Sequence, residues 1–170
     1  MLTPFAKEFV EQSASHLNQN TPRIIKCLTQ LSEEEVWHRP NENSNSIGNL
    51  ILHLCGNIRQ YAISSLGNVP DGRIRNLEFS TREGYTKSEL IEKLTQTVDD
   101  AVMTIKNSTE ANLLQPRLVQ GFNLTGIGII IHVTEHYSYH TGQIAYYTKM
   151  VKDRDLGFYA NVDLNVKNEG

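Results

Sequence analysis

The apolar residues of this 170-residue chain recur at the spacing of an α-helix in four long segments. The clearest pattern runs from Leu90 to Ile105, where the apolar residues step by four, four, three and four. Four long amphipathic helices in one domain bury their apolar faces by packing together as a bundle. The sequence therefore predicts an all-α four-helix bundle in a single domain that spans residues 1–170. The four helices are expected over Pro4 to Leu31, Ser44 or Ser46 to Leu66, Thr86 to Asn107, and Thr125 to Val151.

Proline, serine and threonine mark the places where these helices begin or break. Pro22 predicts a kink or break near Asn20 in the first helix, because proline lacks the N–H that a helix interior uses. Ser32, followed by three glutamates, predicts the N-cap and acidic first turn of a short helix that ends near Trp37. Thr125 predicts the N-cap of the fourth and longest helix.

Two connections between the helices are long enough to matter for the fold. Residues 67–86 show no clear periodicity, and their length permits a crossover across one end of the bundle. Residues 118–125 predict a short turn or hairpin, with a plain loop as the alternative. In the polar C-terminal tail, local docking is expected of Leu156, Phe158 and Tyr159.

Histidine recurs along one face of the fourth helix. His132, His136 and His140 are four residues apart, which is one turn plus about 40°, so their rings leave the same face. Two imidazoles at this spacing can bind one divalent ion. Three on a straight helix spread over about 80° and two turns, which is awkward for one ion with bonds of about 2 Å. We predict that His136 and His140 are the ligands and that His132 lies behind them or in the pocket, although His132 stays an alternative to either.

A third ligand is expected from the second helix. His53 falls on an apolar stripe, so its ring should point into the interior, where each ring nitrogen needs a partner. A metal shared with His136 and His140 would supply one, whereas an ordinary core histidine would bond a carbonyl or hydroxyl. The stripe consists of Leu50, Leu54, Ile58 and Tyr61.

Two amides lie close in sequence to these histidines. Asn57 follows His53 by one helical turn, and Gln143 follows His140 by three residues. Both are expected to hydrogen-bond ligand rings and to fix their orientation. His16, on the first helix, is expected to join the core face as an ordinary polar contact.

Composition and charge exclude several classes of function. The net charge is −3 and no block of lysine and arginine stands out, so no nucleic-acid partner is expected. Apolar runs such as Ile129 to Ile131 are far too short for a membrane span, so no membrane partner is expected. The first residues lack the basic-then-apolar order of a secretory signal. Cys27 and Cys55 form neither a disulfide framework nor a C-x-x-C motif. The expected location is cytoplasmic.

Two segments resemble the paired signatures of the DinB-like superfamily. They are residues 46–57, S-I-G-N-L-I-L-H-L-C-G-N, and residues 135–144, E-H-Y-S-Y-H-T-G-Q-I. The chain most closely resembles the DUF1572 branch of that superfamily, over nearly its whole length. The resemblance implies a four-helix bundle of DinB-like topology with a long crossover connection. It also implies one divalent metal ion held by three histidines, which here match His53, His136 and His140.

The resemblance implies a class of chemistry but no particular substrate. Some members of the superfamily are metal-dependent transferases that use low-molecular-weight thiols, or isomerases with such a thiol as cofactor, and others lack the metal or a known activity. For this chain it implies a metal-dependent thiol S-transferase, and metal-activated water would instead make a hydrolase. The expected cofactor is Zn²⁺ or Ni²⁺, and the expected partners are a small thiol and a small electrophile.

The alternative function is a non-enzymatic, stress-related bundle protein that binds metal, as a monomer or homodimer. Thr141 stands where many relatives carry an arginine before Gly-Gln, so this chain lacks the side chain on which any role of that arginine depends. A metal site open to solvent favours the enzyme, and a closed site favours the binding protein.

Overall fold

The predicted all-α helical bundle is confirmed by the computed structural model, which describes residues 2–168. Within those residues four long helices form the bundle, and the other elements are short. In chain order the elements are α1 (Pro4–Gln30), α2 (Glu33–Trp37), α3 (Ile47–Ile58) with a π-helical extension (Arg59–Leu66), α4 (Arg75–Ser80), α5 (Lys87–Lys106), α6 (Glu110–Leu114), β1 (Pro116–Val119), β2 (Phe122–Thr125) and α7 (Gly126–Lys152).

Hydroxyl side chains at the N-termini explain why the helices begin where they do. At the start of α3, the Ser46 hydroxyl accepts a hydrogen bond from the N–H of Asn49, and the Asn49 side-chain oxygen accepts one from the N–H of Ser46. This reciprocal capping satisfies backbone donors that have no partner inside the helix. The starts predicted from capping residues are therefore confirmed. The other hydroxyl caps are Thr3, Ser32, Thr86, Thr109 and Thr125.

The long helices bury one apolar core between them. Helix α1 packs against α7 and α5, and α3 packs against α5 and α7. Each buried leucine or isoleucine contributes about 1.5–3 kcal/mol through removal of apolar surface from water. The contact between α3 and α7 matters most for the site, because it brings His53 towards His136 and His140. The largest fully buried side chains include Leu17, Ile24 and Leu28 of α1, Ile51, Leu54 and Ile58 of α3, Leu90, Leu94 and Ile105 of α5, and Tyr137 of α7.

Helix α1 continues through Pro22, so of the predicted kink or break near Asn20 the break is wrong. Proline removes one backbone hydrogen bond, but its fixed φ angle is compatible with a helix. Leu17 and Ile24, on either side of the proline, are both completely buried. Packing of this face against the neighbouring helices holds the backbone helical and outweighs the local preference.

The connection between α3 and α5 is more ordered than its sequence indicates. It contains α4 (Arg75–Ser80), where no element was expected. A helix of six residues is too short to show a periodic apolar pattern. The side-chain amide of Asn49 donates to the backbone oxygens of Glu78, at 2.9 Å, and Thr81, at 2.8 Å, and so ties α4 to the first turn of α3.

The second long helix reaches Leu66 as predicted, but its last two turns are π-helical. No residue pattern predicts this change, and π-helical turns are often found at functional sites. The segment buries Tyr61, whose hydroxyl donates to the side-chain oxygen of Gln120 at 3.0 Å. Gln120 and Gly121 both have positive φ and form the tight turn of the β1–β2 hairpin, which confirms the hairpin alternative.

Several smaller expectations were also met or missed. Helix α6 (Glu110–Leu114) was not predicted, and its Thr109 cap is the local signal that indicates it. In the tail, Leu156 is buried and Phe158 packs against the core. His16 is exposed, so its expected contact with the core is wrong. Both cysteines are buried free thiols. No helix within residues 2–168 is long and apolar enough to cross a bilayer.

A buried hydrogen bond between α1 and α7 provides a test of this packing. The hydroxyls of Thr21 and Tyr137 lie 2.9 Å apart, and the Thr21 hydroxyl also donates to the Leu17 carbonyl, so Tyr137 is the donor between them. Replacement Tyr137→Phe removes that donor and should lower the free energy of unfolding by about 1 kcal/mol in urea. The matched control Tyr146→Phe, at an exposed tyrosine, should change it little. Equal effects of the two replacements would contradict the packing.

Candidate metal centre

The packing of α3 on α7 places three histidines from the two helices at one point. His53 is 7% exposed, because α3 is buried on nearly all sides. His136 and His140 lie one turn apart on α7, and His140 is 8% exposed. One ring nitrogen of each of the three lies within 4.8 Å of one nitrogen of each of the others. The three histidines that the sequence singled out therefore form a single cluster.

The rings of His53 and His136 face each other through their Nε2 atoms. The Nε2 atoms of His53 and His136 are 2.9 Å apart. The ring of His140 is roughly perpendicular to both, with centroid distances of 5.1 Å to His53 and 4.5 Å to His136. Nitrogen atoms from separate helices thus converge on one small volume, as the ligands of a bundle metal site do.

Gln143 fixes the orientation of His140. Its side-chain oxygen lies 2.7 Å from the Nδ1 of His140, and its amide nitrogen donates to the hydroxyl of Tyr139 at 3.1 Å. An amide oxygen can only accept, so Nδ1 of His140 carries the proton. Nε2 of His140 is left with a free lone pair. Gln143 thus stands where the sequence placed it, next to a histidine of the cluster.

Asn57 and His132 form a second pair beside the cluster. The Asn57 side-chain nitrogen lies 3.1 Å from Nε2 of His132, so Asn57 bonds His132 rather than His53. The His132 ring stacks on Tyr61 at 4.1 Å and on His136 at 5.3 Å, measured between centroids. His132 is therefore a neighbour of the cluster, and the two helical turns between it and His140 keep it outside.

An ion pair behind His53 was not found by sequence reasoning. Nδ1 of His53 lies 2.9 Å from Oε2 of Glu78, and the Arg73 guanidinium bonds both carboxylate oxygens, at 2.6 and 2.8 Å. Both residues belong to the connection between α3 and α5. The only signal in the sequence is an acid and a base five residues apart in an aperiodic segment, and it does not indicate which ring they reach.

Burial favours the neutral form of His136 and His140. Burial, together with the nearby rings of His140 and His53, lowers the pKa of His136 to about 3. Burial also lowers the pKa of His140, although the hydrogen bond with Gln143 opposes it. A neutral imidazole is the form that binds a metal, so the environment favours the ligand-competent state.

Glu78 is held in the opposite, charged state. Burial by itself raises the pKa of this carboxyl, but hydrogen bonds from Arg73 and His53 outweigh burial and leave its pKa below the usual value. The ionised carboxylate can only accept hydrogen bonds. The histidine cluster therefore lies beside a buried ion pair of Glu78 and Arg73.

The donor set fits a divalent ion of the borderline class. Three imidazoles with converging ring nitrogens suit Zn²⁺ and Ni²⁺, whereas Mg²⁺ and Ca²⁺ prefer oxygen ligands. A hydrogen bond donated by the remote ring nitrogen, as His53 donates to Glu78 and His140 to Gln143, is the usual support of a metal-bound histidine. Three protein ligands also leave a coordination position for a small molecule.

Other residues considered from the sequence lie outside this centre. Glu135 is exposed, and Tyr137 is a buried core residue bonded to Thr21. The hydroxyl of Thr141 donates to the Tyr137 carbonyl within the helix. Cys55 is buried, and burial raises the pKa of its thiol to about 11, so it is not a ready nucleophile.

Solved structures share this fold. A DinB-like protein from Bacillus subtilis matches 85% of this chain and 94% of its own, with a TM-score of 0.65 and 18% identity. A conserved protein from Enterococcus faecalis matches 85% of this chain and 97% of its own, with a TM-score of 0.68 and 15% identity. At such identities the likeness concerns the fold, which is that of DinB-like proteins. No curated protein matches the chain.

The family model of DUF1572, described as a protein of unknown function, matches residues 4–160. The match covers all the long helices and both helices that carry the histidine cluster. The chain belongs to the DUF1572 family, as the resemblance of its two signature segments indicates.

The lowered pKa of His136 predicts how stability depends on pH in the metal-free protein. Unfolding returns the ring to its ordinary pKa of 6.5, so between pH 6.5 and about 3 the unfolded chain binds more protons. This contribution to stability is complete above pH 6.5 and is lost as the pH falls towards 3, at up to about 1.4 kcal/mol per pH unit.

Urea unfolding at a series of pH values, in the presence of a chelator, measures this effect. The His136→Ala protein should lose stability less steeply below pH 6.5 than the wild type. His16→Ala, at an exposed histidine, should follow the wild-type curve. Parallel curves for wild type and His136→Ala would show that His136 is not held neutral by the fold.

Proposed function

We propose that His53, His136 and His140 hold one divalent ion, Zn²⁺ or Ni²⁺, in a metal-dependent enzyme that uses a low-molecular-weight thiol. The observation that carries the proposal is the convergence of three ring nitrogens within 4.8 Å, from two helices. The remote nitrogens of His53 and His140 are both engaged by other side chains, which leaves their Nε2 lone pairs for a metal.

The chemistry proposed for the site is S-transfer to a small electrophile. A divalent cation bound there supplies positive charge that favours the thiolate form of a small thiol at neutral pH. In the transfer, the thiol sulfur forms a bond to an electrophilic carbon, the bond from that carbon to its leaving group breaks, and the thiol proton passes to solvent. The protein's own part is to orient the histidines and to hold the two reactants together.

A cavity that shares Gln143 with the surroundings of the cluster supports the presence of a second reactant. It has a volume of about 420 Å³, in the range of small-molecule sites, and Gln143, which bonds His140, forms part of its wall, whereas the three histidines do not line it. Tyr146, Tyr147 and Met150 give it an aromatic and apolar side. Asn43 and Asn45 give it polar groups without charge. This lining suits a small, neutral, partly apolar electrophile.

The competing function is a metal-binding protein without catalysis. It is favoured by the burial of His53 and His140, which are 7% and 8% exposed. Thr141 also favours it, because its hydroxyl is used within the helix and presents nothing to the cluster. The enzyme requires a coordination position of the metal that a thiol can reach, and the binding protein does not. Metal-activated hydrolysis requires the same open position, for water.

Metal content tests the ligand assignment directly. Protein purified without a metal-affinity column should carry about one divalent ion per chain by elemental analysis. His53→Ala, His136→Ala and His140→Ala should each lose it, because two remaining imidazoles bind too weakly. His16→Ala and His132→Ala should retain it. Full metal occupancy in His136→Ala rejects the assignment. Loss of the metal in His132→Ala shows that His132 is a ligand in place of His136 or His140.

Conjugation of thiols tests the proposed activity. Metal-loaded protein is mixed with a panel of cellular thiols and a chlorinated nitroaromatic electrophile, and the thioether product is measured. A thiol whose pKa falls by about one unit has near tenfold more thiolate, but each thiolate is about threefold less nucleophilic, so the rate should exceed the uncatalysed rate by at least about threefold. The excess should vanish in His140→Ala and persist in His16→Ala. If no thiol changes the absorption spectrum of the bound metal and no thiol reacts faster than it does without protein, the protein binds metal without catalysing thiol transfer.

A further inference from the structure

A buried carboxylate stands behind one ligand of the proposed centre. Glu78 contacts Nδ1 of His53, while Nε2 of the same ring faces His136. We infer that Glu78 is a positioning residue, which selects the tautomer and the ring orientation of His53 that metal binding needs. Gly56 is required because its missing side chain leaves the space in which the Glu78 carboxylate lies. This inference rests on the proposed metal site and assigns residues outside the three ligands.

The contacts of Glu78 decide which nitrogen of His53 carries the proton. The ionised carboxylate only accepts, and the guanidinium of Arg73 only donates. Nδ1 lies 2.9 Å from Oε2 of Glu78 and 3.2 Å from Nη2 of Arg73. A bare Nδ1 would point its lone pair at a negative oxygen at the shorter distance. The proton therefore lies on Nδ1, and Nε2 presents its lone pair to the other histidines.

Arg73 holds the carboxylate in this position. Its Nε and Nη2 bond the two oxygens of Glu78, and its Nη1 donates to the side-chain oxygen of Gln60 at 2.9 Å. The side chains of Arg73 and Glu78 are 2% and 8% exposed. A two-pronged pair of this kind fixes the carboxylate in a plane as well as at a distance. Glu78 is thus prevented from turning away from His53.

Gly56 provides the space in which the carboxylate lies. A Cβ atom at this position would lie 1.9 Å from Oε1 of Glu78 and 2.7 Å from its Cδ. Carbon and oxygen atoms cannot approach so closely, so an alanine there would force the carboxylate to move. Gly56 follows His53 by three residues on α3, so one helix face carries both the ligand and the space for its partner.

Helix α4 is anchored independently of the ion pair. The amide of Asn49, which is completely buried, bonds the backbone oxygens of Glu78 and Thr81. A change of the Glu78 side chain therefore leaves the backbone of α4 attached to α3. Loss of metal affinity in such a variant would report the side-chain contact rather than loss of the connection.

Two replacements test the inference from opposite sides of the contact. Glu78→Ala removes the carboxylate, and Gly56→Ala displaces it while the carboxylate remains in the chain. Each should weaken Zn²⁺ binding by about 10- to 100-fold in competition with a chromophoric chelator. Glu78→Gln, which keeps an acceptor oxygen, should weaken it less than Glu78→Ala. The matched control is Gly142→Ala, in a helix where an added Cβ meets nothing within 4 Å, and it should bind as the wild type.

A double variant separates this contact from a general effect on stability. Because Gly56→Ala and Glu78→Ala act on one contact, their combination should bind Zn²⁺ no more weakly than Glu78→Ala alone.

In the metal-free proteins, ¹⁵N NMR of the imidazoles should show His53 protonated at Nδ1 in the wild type. The same spectra should show the Nε2–H form increased in Gly56→Ala and Glu78→Ala.

The outcomes separate the inference from the proposed function. Wild-type affinity in Glu78→Ala, alongside loss in the three His→Ala variants, rejects the role of Glu78 and leaves the metal site standing. Wild-type affinity in Gly56→Ala rejects the requirement for Gly56. An Nε2-protonated His53 in the wild-type spectrum also rejects it. Zn²⁺ binding that survives in all three His→Ala variants rejects the metal site itself, and the role of Glu78 with it.

Discussion

The burial of imidazole rings between α3 and α7 is the constraint on which the rest of the structure depends. A charge at this place would lose its hydration, which lowers the pKa of His140 and lowers that of His136 to about 3. A buried ring needs a partner for each N–H, and Glu78 and Gln143 meet that need at the remote nitrogens of His53 and His140. The same arrangement that makes burial tolerable therefore turns lone pairs towards a common point.

Most of the helical frame follows from local signals. Apolar spacing and hydroxyl caps are read within a few residues, so the starts of α3, α5 and α7 and the extent of each helix were predictable. The inward position of His53 follows from the same apolar spacing, and the shared face of His136 and His140 follows from their interval of four residues. The failure at Pro22 shows the limit of such rules, because burial on both sides of the proline kept the helix intact.

The parts of the centre that could not be predicted depend on contacts between distant segments. Glu78 reaches His53 because Asn49 ties α4 to α3 and because Gly56 leaves space, and neither condition is visible near Glu78 in the sequence. His132 has the same spacing as the ligand pair. Only the stacking of its ring on Tyr61 and its bond with Asn57 show that it belongs beside the cluster.

Two residues close to the histidine cluster, Arg73 and Thr141, are already paired within the protein. Arg73 is a buried cation, but its charge is matched by Glu78, so it supplies no free positive charge to a substrate. Thr141 occupies the position after His140, and its hydroxyl is satisfied by the helix. Neither residue can therefore stabilise a developing negative charge at the rings. In the proposed activity, the positive charge that stabilises an anionic sulfur is therefore that of the metal ion.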